Sequence, residues 1–153
     1  MGAQRWLGWA GRWSLCLALA AGPALAIDNP DREDPLPGFA AAVAAHEERI
    51  ARAPDAAAAL DASVLYARFL DERLNHAYGA VLRGAGPDAR NALRRAQRQW
   101  LAYRDAEIRF IQSNWSNRAH GSSAALSRAA FRNGLVRERT RTLLEYLRSY
   151  PPD

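Results

Sequence analysis

Few residues of this chain carry reactive chemistry. The histidines His46, His76 and His120 do not stand at metal-ligand spacing, which leaves His46 a packing residue on a helix stripe. Gly121-Ser122 lacks the setting of a nucleophile elbow. The single cysteine, Cys16, lies near the N-terminus, there is no lysine, and no glycine-rich loop suits a phosphate. Asp71 and Glu107 are conceivable as paired acids for sugar hydrolysis. Arginine partners would keep both ionised, however, and a general acid must hold its proton. The reading is a protein with no catalytic residue, no cofactor and no metal site.

What the chain offers instead is polar groups in apolar stripes. Over residues 93–115, at 100° per residue, Leu93, Gln97, Trp100, Leu101, Arg104, Ile108, Ile111 and Trp115 share one helix face. Gln97 and Arg104 occupy its centre, where an ordinary amphipathic helix carries leucine. Asp71 lies inside a second stripe, with Asn75 on its shoulder, and Arg139 lies at the centre of a third. A lone buried charge is prohibitively costly, so these groups must meet each other or a ligand. The expected arrangement is an internal ionic lock of Asp71 with Arg104 and of Arg139 with Glu107. Gln97, Asn75 and Thr142 would satisfy the remaining donors and acceptors. The competing reading, a binding pocket, is the weaker one, because long side chains with balanced charges suit a lock.

The elements that position these groups are all helical. A short helix spans residues 39–52, with Phe39, Val43, His46 and Ile50 on one face, and Pro54 ends it. A second runs from Asp55, a plausible N-cap, to Arg83, with Leu60, Val64, Ala67, Leu70, Leu74, Tyr78 and Val81 inward. Gly84-Ala85-Gly86-Pro87 stops it, and a third helix runs from Asp88 to Trp115. Residues 116–122 interrupt, and a fourth helix covers residues 123–150. Its expected apolar side is Leu135, Val136, Arg139, Thr142, Leu143 and Tyr146. No strand-like alternation occurs. The fold class is all-α: an antiparallel bundle of three long helices plus one short N-terminal helix.

Residues 1–26 read as a signal peptide. Arg5 and Arg12 precede a short apolar run, Gly22-Pro23 breaks it, and Ala24-Leu25-Ala26 offers a cleavage site. The run, residues 13–21, is far shorter than the roughly 20 residues that span a bilayer. Cleavage removes Cys16, so the mature chain would hold no thiol in a compartment that permits disulfides. Residues 27–38 contain three prolines and a cluster of acids, and read as a mobile leader ahead of a single helical domain at 39–150. All 21 basic residues are arginine, distributed unevenly. Residues 27–82 hold 5 Arg against 10 acids, and residues 83–153 hold 14 Arg against 6 acids. The arginines are expected to coat outer helix faces, and export argues against nucleic acid as a partner.

The segment Gln97-x-x-Trp100-Leu101-x-Tyr103-Arg104-Asp105 resembles the lysozyme-inhibitor LprI-like family of small exported helical proteins. Asp71-x-x-Leu74-Asn75-x-x-Tyr78 is similar to that family's upstream motif, and Arg137-Glu138-Arg139-Thr140 to its C-terminal one. The likeness spans about residues 70–147. It implies a structural motif core of Asp71, Asn75, Tyr78, Gln97, Trp100, Tyr103, Arg104, Asp105, Glu107 and Arg139. Family members commonly carry a cysteine pair where this chain has Ile108 and, by approximate alignment, Phe131, so the resemblance implies an apolar pair in place of a disulfide.

The resemblance implies a periplasmic or secreted, non-catalytic inhibitor of lysozyme-type muramidases. The alternative is a periplasmic interaction protein with an unrelated or anionic envelope partner. Trp115, Arg118 and His120 are the candidate partner-binding residues, being of types that anchor interfaces. Trp115 also lies on the third helix's stripe, which favours its packing against the core.

Overall fold

The computed structural model describes residues 33–115 and 123–149, and every element among them is a helix. α1 is Pro35–Ala51, α2 Ala56–Gly84, α3 Pro87–Asn114 and α4 Ser123–Ser149.

The local chemistry explains where the first three helices start. Asp34 caps α1 by accepting from the Leu36 amide at 2.9 Å, and Pro35 takes the first turn, where a missing N–H costs nothing. α1 therefore begins within the stretch expected to be an extended leader, ahead of the expected start at Phe39. The prolines at 35 and 37 initiate the helix rather than exclude it. Asp55 caps α2 as expected, accepting from the Ala58 amide at 2.8 Å. α3 opens on Pro87, one residue before the expected Asp88, with Gly86 as a cap that offers no side chain. Arg90 then reaches back across the turn, and its Nε and Nη2 donate to the carbonyls of Leu82 and Arg83 at 2.9 and 3.2 Å. One side chain thus satisfies two C-terminal carbonyls of α2 and places a cation at the negative end of that helix.

The core is built by three of the four helices. Phe39 and Val43 of α1, Tyr66, Leu70, Leu74 and Ala77 of α2, and Val136, Leu143, Leu144 and Leu147 of α4 form one buried cluster. Leu70 and Leu143 are completely buried. The α2 face alternates large residues with Ala59, Ala62, Ser63, Ala67 and Ala77, and this small-residue surface lets α2 and α4 approach closely. α1 packs on both. Phe39 stacks near Phe69 (6.2 Å between centroids), and His46 meets both Tyr66 (5.2 Å) and Phe69 (4.8 Å). Asp34 meets Arg148 at 3.9 Å and Glu47 meets Arg137 at 2.6 Å, tying α1 to α4 at two points.

α3 lies on the flank. Only Gln97 and Ile111 of its residues are buried, and Leu93 and Trp100 touch the core from its margin. Its described packing is mainly against α4.

The inward face of α4 differs from the expected one. Val136 and Leu143 are buried as read, but Thr140, Leu144 and Leu147 complete the face, while Tyr146 is 39 % exposed and Arg139 lies to one side. The reason is that α4 serves two neighbours. Its 136–140–143–144–147 side meets α2 and α1, and its 135–139–142–146 edge lines the grooves shared with α3.

Candidate functional site

The motif residues of α3 converge on Arg139 of α4. Gln97, buried, accepts from the Arg139 Nε at 3.0 Å. Trp100, one turn further along α3, lies under two guanidinium groups. The central carbon of Arg104 is 5.4 Å from its ring centroid and that of Arg139 is 5.9 Å away. Arg104 is tied down by its chain neighbour, its Nη2 and Nε donating to Asp105 Oδ1 at 2.8 and 3.0 Å.

Arg139 has no acid in ion-pair reach among the described residues. Its Nη2 is wholly enclosed and makes no hydrogen bond there. Burial holds the Arg139 guanidinium below its ordinary pKa, against the opposing pull of Tyr146 and Tyr78. A cation held by a neutral amide and an aromatic face, with one fork of the guanidinium unused, retains capacity to bind an anion.

This geometry corrects both pairings of the expected lock. Asp71 pairs with Arg132 of α4 at 3.1 Å, not with Arg104, and both side chains are about two-fifths exposed. Arg139 meets Gln97, not Glu107. The cause is the helix arrangement: α4, rather than α3, packs against α2, so an acid on α2 finds an arginine of α4. Of the other motif residues, Tyr78 is half-buried against the core and Glu107 is half-buried on α3. Asn75, Asp105 and Tyr103 are exposed, Tyr103 by 52 %.

Trp115 caps the C-terminus of α3, where its half-buried ring meets Phe131 edge-on at 5.8 Å. Its carbonyl accepts from Arg128 Nη1. Arg118 and His120 lie outside the described residues. Ile108 lines a small cleft with Ile111, Arg128 and Arg132, whereas Phe131 lines the larger groove on Trp100.

A second polar cluster was not foreseen. Glu47 of α1 accepts from Arg137 of α4 at 2.6 Å and from the Tyr66 hydroxyl of α2 at 3.4 Å, joining three helices through one carboxylate. Burial, with Glu47 adding to it, pushes the Tyr66 hydroxyl up to about 12. Nearby, Asn133 Nδ2 donates to the Ser63 carbonyl at 3.1 Å in a buried setting. The available signal was Arg137, which stands in the C-terminal motif; nothing in the spacing of α1 marked Glu47 as its partner.

Open grooves surround these clusters. One of about 550 Å³ lies among α1, α2 and α4 beside Glu47 and Tyr66. Two more, of about 540 and 570 Å³, flank α3 on its two sides, and Arg139 lines both. Among the described residues no cluster of three or more His, Cys, Asp or Glu is placed to hold a metal, and no helix is long and apolar enough to cross a membrane.

Compared with known proteins, residues 50–143 match the family model described as "Lysozyme inhibitor LprI". That match runs from the end of α1 through all of α2 and α3 and into α4, and so includes both Gln97 and Arg139. No curated protein and no solved structure matches the chain.

Proposed function

Because the chain belongs to the LprI lysozyme-inhibitor family, we propose that its mature form is an exported binding module that inhibits a lysozyme-type muramidase by surface complementarity. The single observation that carries this reading is the family match over residues 50–143. In this reading residues 1–26 are removed on export and the protein acts in the periplasm or outside the cell. The scaffold is a helical bundle in which successive helices oppose one another; the contacts of Phe39 with Phe69 and of His46 with Tyr66 support this for α1 with α2. Gln97–Arg139 and Trp115–Phe131 support it for α3 with α4. Inhibition involves no turnover, and the motif residues act by shaping the α3–α4 surface.

Contact with the enzyme is assigned to the acidic segment 28–34, the 115–120 region and the grooves beside α3. A basic target would favour the acidic half of the chain, and association driven by charge would weaken with salt. The Debye length falls from about 10 Å at 0.1 M to about 3 Å at 1 M. The test is residual muramidase activity against a stoichiometric titration of the mature protein at low and high salt. Inhibition that saturates near one equivalent and weakens at high salt is expected. No inhibition at micromolar excess of chicken-type, goose-type and bacterial muramidases would overturn the reading. The 14 arginines against 6 acids over residues 83–153 would then favour an anionic envelope partner.

A further inference from the structure

Arg139 is a cation for which the described protein supplies a neutral amide and an aromatic ring but no counter-charge. Elsewhere among the described residues, the buried polar side chains have found partners: Asn133 with the Ser63 carbonyl, Thr140 with the Val136 carbonyl, Gln97 with Arg139 itself. Arg139 Nη2 alone is enclosed and unbonded there. A buried donor left unused is unfavourable, the more so when charged, so the fold keeps this donor at a loss.

The surroundings indicate what would use it. The groove between α3 and α4 on the Trp100 side holds about 570 Å³ and is walled by Trp100, Tyr103, Phe131, Leu135, Arg139 and Thr142. Tyr103 and Phe131, 52 % and 40 % exposed, both line this groove and give it a shared aromatic surface. Arg104, paired with Asp105, lies over the same Trp100 ring. Glu138 is the acid on the groove wall, and its carboxylate is already engaged by Arg137 and Arg141 at 3.3 and 3.1 Å.

We propose that this groove receives an acidic side chain of a partner polypeptide, its carboxylate bound by the Arg139 guanidinium and its apolar neighbours lying on Trp100, Tyr103 and Phe131. The proposal rests on reading the chain as a binding module. Charge complementarity selects the carboxylate, since a guanidinium fork matches two carboxylate oxygens and a lone cation lacks only its anion. The aromatic wall selects a polypeptide over a small free anion, which would leave most of that apolar surface uncovered. Tryptophan, tyrosine and arginine are also the residue types that dominate interface energetics. α3 buries only two residues, and binding as proposed requires this lightly held helix to yield so that the enclosed Nη2 can be reached.

The test uses the whole mature chain and a defined probe, acetyl-Leu-Glu-Leu-amide, with its Leu-Gln-Leu counterpart and inorganic phosphate as controls. Binding is read from the NMR signals of the Trp100 indole N–H and the Arg139 Nε–H. The glutamate peptide should shift both signals saturably and bind at least about tenfold more tightly than the glutamine peptide, as one charge-assisted hydrogen bond implies. Arg139→Lys, which keeps the charge but loses the fork, should weaken capture, and so should Tyr103→Ser at an exposed position that the fold does not need. Equal binding of the two peptides, shifts mapping away from the groove, or phosphate matching the peptide would overturn the proposal. Peptide capture without muramidase inhibition would support this site and sink the inhibitor reading. Inhibition unchanged in Tyr103→Ser, with no peptide capture, would do the reverse.

Discussion

α4 has two sides, and they are built on different principles. Toward α2 it presents Val136, Thr140, Leu143, Leu144 and Leu147, closed against alanines and leucines with almost no exposed surface. Toward α3 it presents Leu135, Arg139, Thr142 and Tyr146, which meet a glutamine, a tryptophan and open grooves. The first contact excludes water and holds the fold together. The second leaves space and an incompletely used cation. The difference teaches that the polar residues in apolar stripes do not lock the core. They gather where the core ends, beside the helix that contributes least to it.

The sharpest way to break this comparison is to cut equal volumes from the two sides. Leu143→Ala, on the α2 side, should lower unfolding free energy by about 2–5 kcal/mol, the range for truncating a fully buried leucine. Leu93→Ala, on the α3 side and only partly buried, should cost clearly less. Denaturant titration of both variants measures the gap, and equal losses would mean that α3 is as much a part of the core as α2.

A smaller effect probes the polar side itself. Gln97→Leu removes the acceptor of Arg139 Nε and should cost about 1–3 kcal/mol, since a second donor of a half-buried cation is left without a partner. A gain in stability instead would show that the amide serves binding at the expense of the fold.

The smallest effect is expected at the Asp71–Arg132 pair. It is 3.1 Å long but about two-fifths exposed on both sides, and exposed pairs contribute roughly 0–1 kcal/mol. Asp71→Asn should therefore leave the denaturation midpoint nearly unchanged. The expected lock with Arg104 would have demanded a loss several times larger.

The local signals were legible in the sequence because they are local. The Asp55 cap and the break before Pro87 depend on a few adjacent residues, and the helices begin at or next to them. The α3 stripe through Gln97, Trp100 and Arg104 was also legible, since periodicity reports faces. Periodicity does not report which face meets which. Asp71 could reach an arginine on either α3 or α4, and because every basic residue is arginine, residue type did not separate Arg132 from Arg104. The α4 face was misjudged for a related reason: two adjacent stripes, one per neighbouring helix, read as a single stripe. The Glu47–Tyr66–Arg137 junction joins positions far apart in the chain, and only the packing of α1 on α2 and α4 brings them together.

The short connection between α2 and α3, sealed by Arg90 on the carbonyls of Leu82 and Arg83, holds the start of α3, and Trp115 against Phe131 and Arg128 holds its end. A helix that buries only two side chains is expected to behave as a separate cooperative unit in hydrogen exchange. Its amides can open to solvent without the α2–α4 pair coming apart, at a free energy below that of global unfolding. A ligand seated against Arg139 would close that low-energy opening, and protection would rise along the whole of α3, from Pro87 to the Trp115 end, rather than only at the residues touched.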